Sequence, residues 1–374
     1  MRARELGIVI GSAAPGPLNA ITDVPGVRVG MTTLVSGDGP LVVGRGPVRT
    51  GVTVILPHAG DVGEEPVFAG CHRLNGNGEL TGLEWVRESG QLTSPIALTN
   101  THSVGVVRDA LIAAQVAGRP DGAASWSLPV VGETWDGRLN DINGQHVRPE
   151  HVQSALERAA GGVVPEGNVG GGTGMVCHGF KGGTGTASRV VSIEGQAYTI
   201  GVLVQANHGR RARLRVDGAP VGREIPPGEV PLPEPPVGAA EGGGSIIVVV
   251  ATDAPLLPHQ LTRVAQRPGL GVARMGGAGE QSSGDLFIAF STANRLRAWD
   301  AVPGGPARVP LLMLSDAHIT ELFDATIEAT EEAILNALLG AETMTGRDGI
   351  TAYRLPPRRL VEVMAAWNRP AAAT

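Results

Sequence analysis

A serine set between a glycine run and an apolar strand can become a nucleophile by cutting the chain in front of it. Ser245 follows Gly242, Gly243 and Gly244 and opens the run SIIVVVATD. Were the bond between Gly244 and Ser245 broken, Ser245 would carry a hydroxyl and a free α-amino group on one residue. An α-amino group titrates near ~8, so a useful fraction is neutral and can act as base for the neighbouring hydroxyl. Glycines before it open backbone conformations in which the serine oxygen reaches the preceding carbonyl. The alternative is a Gly/Pro loop entering a strand, with Ser245 an ordinary residue at its edge.

Other residues could assist. Asn207 ends an apolar stretch and is either a turn residue or an amide donor aimed at an oxyanion. Ser282, Ser283 and Asp285 stand at the mouth of a second apolar run, and Glu133, Asp136 and Asp141 follow a third, where loops carry function on a rigid scaffold. Solvated loop acids are the plainer reading of those three. His102 and Ser103 read as a helix start that caps itself. A metal reading of His146, Glu150 and His151 fails, because the histidines are five apart and Pro149 interrupts the face a zinc pair needs. The glycine-rich segment 167–189 has neither P-loop nor G-x-G-x-x-G spacing and suggests tight turns whose N–H groups could meet a charge.

These residues need elements to hold them. GVTVILP (51–57), SPIALTN (94–100), SIIVVVATD (245–253) and PLLMLSD (310–316) read as strands, LPVVGETWDGRLNDING (128–144) as a strand ending in acidic and polar residues, GEQSSGDLFIAFSTAN (279–294) as a turn into a strand, and 190–207 as a hairpin turning at Glu194 and Gly195. Helices are expected near Leu83 to Val86, over 101–118 through Val104, Val107, Leu111 and Ala114, over 149–160, and over 253–276 with a break at Pro268. The strongest runs from a Ser315 cap to Gly340. Residues 217–244 hold seven prolines and read as an extended, exposed linker. Strands on both sides of it point to one interleaved α/β domain over 1–374.

Composition limits the function. Glycine is 55 of 374 residues, about twice the usual ~7% share, and aromatics are 3%, so aliphatic side chains must pack around close backbone approaches. A net charge of −6 gives no basic footprint for nucleic acid or an anionic membrane. No apolar run is long enough to span a bilayer, and the N-terminus makes no convincing signal peptide. Cys71 and Cys177 show no metal or redox spacing, which suits the cytoplasm.

The sequence resembles the family of DmpA-type L-aminopeptidase D-Ala-esterase/amidases, which includes β-peptidyl aminopeptidases. The likeness spans nearly the whole chain and rests on PGPLNAITDVPGVRVG (15–30), TNTHSVGVVRDA (99–110), ETWDGRLNDING (133–144), EGNVGGGTGMVCHGFKGGTGTASR (166–189), VQANHG (204–209), GGGSIIVVVATDAPL (242–256) and SSGDLFIAFSTAN (282–294). It implies an α+β, four-layer αββα sandwich of the N-terminal-nucleophile-hydrolase kind, self-cleaved into 1–244 and 245–374. The substrates implied are small peptides, amides or esters with a free amino terminus, with no cofactor, no metal and a homo-oligomer, a tetramer of two-chain units.

By the same resemblance Ser245 is the nucleophile, Gly244 precedes the cut, Asn207 is the oxyanion donor, and Ser283 with Asp285 forms a polar pair beside the nucleophile. Glu133 holds the substrate ammonium and Trp135 lines its pocket. Some members carry Glu in place of Asp285. The rivals are an ornithine-acetyltransferase-like acyltransferase, which would use threonine at position 245, a nucleotide binder, a conventional serine hydrolase and a non-catalytic scaffold. Ile247 breaks the G-x-S-x-G signature of the conventional hydrolase.

Overall fold

Ser245 to Thr252 is a strand buried along its whole length. Its alternation divides the interior in two: Ile246, Val248 and Val250 join one apolar cluster, while Ile247, Val249 and Ala251 join another on the opposite face. Such a strand needs a packed layer on either side. The computed structural model, which describes residues 1–118, 126–234, 244–297 and 305–367, supplies both.

In chain order the strands are β1 (Arg28–Ser36), β2 (Val48–Leu56), β3 (Val67–Gly76), β4 (Gln91–Leu92), β5 (Ile96–Asn100) and β6 (Val130–Thr134). They continue with β7 (Val176–Cys177), β8 (Phe180–Lys181), β9 (Gly183–Ile193), β10 (Gln196–Asn207), β11 (Ser245–Thr252), β12 (Gly284–Arg295), β13 (Met344–Thr345) and β14 (Thr351–Ala352). The larger sheet has the order β4-β3-β12-β11-β10-β9 and the smaller β1-β2-β5-β6. The helices are α1 (Leu83–Ser89), α2 (Val104–Ala117), α3 (Pro149–Glu157), α4 (Val221–Glu224), α5 (Pro258–Ala265), α6 (Pro268–Arg274), α7 (Ile319–Gly340) and α8 (Pro357–Ala366).

Three apolar clusters define four layers. Val52, Val54, Ala97 and Val131 of the smaller sheet pack on α2 and α3 through Val107, Leu111, Val152 and Ala155. The two sheets meet through Ile96, Leu98 and Val130 against Leu203, Ile247, Ile288 and Phe290. The far face of the larger sheet packs on α5, α6 and α7. The expected αββα sandwich is the fold. With few aromatics, close approach replaces bulk: a methyl group on Gly185 of β9 would lie 2.1 Å from the Ala333 carbonyl oxygen of α7.

Several local expectations are corrected. The first part of the expected linker is exposed over much of its length, including residues 226–229, but it holds α4, and Ala219, Val221, Ile225 and Val230 anchor it in the core. Residues 235–243 of that linker lie outside the described residues. PLLMLSD forms no strand, because Leu312 exchanges hydrogen bonds with the Asn294 side chain instead of a backbone neighbour, and it stays 68% exposed. Asn100, not Ser103, caps the start of the 101–118 helix by accepting the His102 N–H at 3.1 Å. The break expected at Pro268 is present: the 253–276 segment forms two helices, α5 and α6, each with a proline in its first turn.

A candidate active site at one edge of the larger sheet

Strand directions bring the candidate residues together. β10 runs antiparallel to β11, so its last residue, Asn207, stands opposite the first residue of β11, Ser245. β12 runs parallel to β11 and starts beside it, pairing Asp285 with Ile246. Three strand ends therefore meet at one edge, each delivering a polar residue.

Ser245 is buried, and its Oγ accepts the Gly284 N–H at 3.0 Å. Ser283 donates its hydroxyl to Asp285 Oδ1 at 2.6 Å, so the shorter carboxylate does reach its partner. Burial pushes the Asp285 carboxyl up to about 6, against the lowering effect of Ser283 and the Ile246 N–H. Gly244 is tightly held: a methyl group there would lie 2.0 Å from the Asn207 carbonyl oxygen.

The Asn207 amide is fixed at both ends. Its Oδ1 accepts the Val176 N–H at 2.8 Å and its Nδ2 donates to the Trp135 carbonyl at 2.9 Å. Turning it over would set donor against donor. The second N–H of Nδ2 makes no hydrogen bond among the described residues.

Glu133 stands near the end of β6 in the facing sheet and is 3% exposed. The Glu79 N–H donates to Oε1 at 3.0 Å and Thr101 donates its hydroxyl to Oε2. Burial raises its pKa despite these two hydrogen bonds. No ion-pair partner reaches it among the described residues. Gly78 separates it from Gly284, whose N–H meets Ser245 Oγ, since a methyl group on Gly78 would lie 3.0 Å from Glu133 Oε1 and 3.2 Å from Gly284 Cα.

Asp136 and Asp141 are buried, not solvated. Asn140 donates to Asp136 Oδ1 at 3.0 Å, and burial pushes the Asp136 carboxyl up to about 7. Asp141 pairs with His146 at 2.8 Å and accepts the Gly44 N–H. Trp135 lines a cleft of about 460 Å³ with Asn207, Val176, His208 and Leu232. Glu133 is not among the side chains lining that cleft.

The glycine-rich segment has the polarity opposite to the one expected. The N–H groups of Gly170, Gly171 and Gly172 are all used within the fold. Its carbonyls face inward, and Lys181 donates to Met175 O at 2.9 Å and Gly182 O at 2.8 Å. Burial pushes the Lys181 ammonium down to about 7. The turn thus holds a cation of its own, and with it Val176, which orients Asn207.

His208 was not singled out from sequence as a site residue, although it follows Asn207 directly. It is buried, and its ring stands 5.1 Å from that of His178. Cys177, His178 and His208 offer potential ligand atoms within 4.8 Å of one another. The Arg211 guanidinium beside His178 opposes a divalent ion there, while burial holds both histidines neutral, well below the usual imidazole range.

Four layers, with a serine opening a central strand, define the fold of the N-terminal-nucleophile hydrolases. Residues 19–352 match the sequence profile of peptidase family S58, and the chain belongs to that family. A β-peptidyl aminopeptidase from Sphingosinicella microcystinivorans is 51% identical, over all of this chain and 94% of its own length. The solved structure of a β-aminopeptidase from Burkholderia superposes with a TM-score of 0.90 at 51% identity, over all of both chains. The L-aminopeptidase D-Ala-esterase/amidase from Ochrobactrum anthropi, described as a variant of the Ntn hydrolase fold, gives 0.89 at 43% identity over 99% of each chain. No helix among the described residues is long and apolar enough to cross a membrane.

Proposed function

We propose that the protein cuts itself between Gly244 and Ser245 and then acts as a serine aminopeptidase on peptides, amides or esters with a free amino end. The observation that carries the reading is Glu133. It is a buried carboxylate with two hydrogen-bond donors and no ion-pair partner among the described residues, one glycine away from the backbone that holds Ser245 Oγ. A substrate ammonium supplies the missing charge, and an acylated amine has none to offer.

In self-cleavage, Ser245 Oγ attacks the Gly244 carbonyl carbon, and the hydroxyl proton ends on the Ser245 nitrogen as the C–N bond breaks. Water then hydrolyses the resulting ester. This leaves a Gly244 carboxylate, a free α-amine and a restored hydroxyl.

In turnover, the α-amine takes the Ser245 proton as Oγ attacks the substrate carbonyl, and the second Asn207 N–H meets the oxyanion. The Asp285 carboxylate accepts the N–H of Ile246, the next residue, and so stands where it steadies the transient ammonium. The proton passes to the leaving group, and water releases the acyl-enzyme. The activities for which the relatives are named support aminopeptidase action and bring β-peptides among the substrates to be tried.

The test pairs intact mass under denaturing conditions with turnover of an aminoacyl p-nitroanilide and its N-acetylated counterpart. Two chains and hydrolysis of the free-amine substrate alone are expected. A whole 38.4 kDa chain without turnover overturns the reading.

A further inference from the structure

Three concavities meet around residues 208–212. The cleft beside Asn207 shares His208 and Gly209 with a small cavity at Ser283 and Asp285. That cavity shares Gly277 with a larger pocket of about 720 Å³, and Ala212 lines both the pocket and the cleft. The largest hollow of the three thus adjoins the polar pair beside the nucleophile.

Its lining is cationic. Arg213, Arg215, Arg223 and Arg274 face it, against Asp217 and Glu331. Arg274 pairs with Glu331 at 3.6 Å and Arg213 with Glu280 at 3.2 Å. The Arg215 and Arg223 side chains make no ion pair among the described residues. The cleft adds Arg138, Arg210 and Arg211 against Glu234. The whole chain has a net charge of −6, so positive charge is concentrated in this hollow against the overall balance.

Direction follows from the layers. Glu133 belongs to the smaller sheet, whereas Arg274 and Glu331 belong to α6 and α7, on the far face of the larger one. Ser245 lies at the edge between. A substrate held by its amine at Glu133 and attacked at Ser245 sends its leaving group towards the arginines. Guanidinium forks bind carboxylates through paired hydrogen bonds.

We infer that the arginine-lined pocket receives the leaving-group side of the substrate and selects acidic peptides, whose residues after the scissile bond carry carboxylates. This rests on the aminopeptidase reading of Ser245 and Glu133.

The experiment compares kcat/KM for two peptides that share an N-terminal residue and differ in Glu-Glu against Gln-Gln after the scissile bond. The acidic peptide is expected to be favoured by about tenfold at low salt, as for surface-steered charge pairs. Raised salt and the double variant Arg215→Ala/Arg223→Ala should each bring the ratio close to unity, with self-cleavage of the variant reporting that it folds. Equal rates for the two peptides, or a preference that survives both salt and the variant, overturn the pocket's role alone. Failure to hydrolyse either peptide and the matching p-nitroanilide overturns the aminopeptidase reading and the pocket's role with it.

Discussion

Asn207 and Ser245 face each other across the last rung of the β10–β11 ladder, one ending its strand where the other begins. The register of a central antiparallel pair is hard to shift, because a slip of one residue would turn every apolar side chain of β11 to the wrong layer. The spacing of amide and hydroxyl is therefore set by the core itself.

The Ser245→Ala protein should stay whole at 38.4 kDa, while the unmodified protein separates into chains of about 25 and about 13 kDa, in proportion to 244 and 130 residues. Intact-mass measurement after denaturation reads this directly. Cleavage of the alanine variant at the same bond would remove the serine from the first step.

Glu133→Gln should lower kcat/KM for free-amine substrates by about a hundredfold, as expected when one partner of a buried charge pair is neutralised. Self-cleavage should proceed, since no substrate ammonium is involved. A variant that cannot cut itself would show that Glu133 serves the nucleophile rather than the amine.

Gly244→Ala should slow self-cleavage severely, because the added methyl group would sit 2.0 Å from the Asn207 carbonyl oxygen and must push the scissile bond away from Ser245. A time course of chain separation after purification measures the effect. Cleavage at the rate of the unmodified protein would mean that the backbone moves before the cut.

The Asp285 carboxyl, raised to about 6 from an ordinary 3.8, gives two pH effects of opposite sense. Activity that needs the carboxylate should fall below about pH 6, and residual activity of Asp285→Asn should lack that limb. For stability, an acid whose folded pKa is raised costs free energy when ionised, and the cost fades as pH falls from 6 towards 3.8. The unfolding midpoint of Asp285→Asn, relative to the unmodified protein, should therefore be higher at pH 8 than at pH 4. Calorimetry at both pH values and a kcat/KM profile check the pair of statements.

The β-branched runs were legible because a strand covered on both sides must be apolar on two faces, and β11 could hardly be anything else. The Glu194–Gly195 turn was legible too, both residues taking positive φ. The candidate site came mostly from motif likeness, since Glu133 and Ser245 lie in different sheets and no local spacing links them. What sequence could not convey was burial and orientation. Prolines in 217–234 exclude long helices, yet they do not reveal that Ile225 and Val230 reach the core. Glycines in 167–182 announce turns without saying whether N–H or C=O groups point inward, and only Lys181 at the centre shows which. PLLMLSD has strand composition, but the Asn294 side chain takes the hydrogen bonds that a neighbouring strand would need.

The order of the larger sheet has a consequence for the cut protein. β11 and β12 belong to residues after Ser245, whereas β10 on one side and β3 on the other belong to residues before it. Once the chain is cut, the second fragment is wedged between two strands of the first and cannot depart without breaking both ladders. Folding is unimolecular before the cut, but recovery after denaturation becomes an encounter between two fragments, second order in protein. The cut enzyme should regain its structure more slowly on dilution, while the Ser245→Ala chain should refold at a rate independent of its concentration.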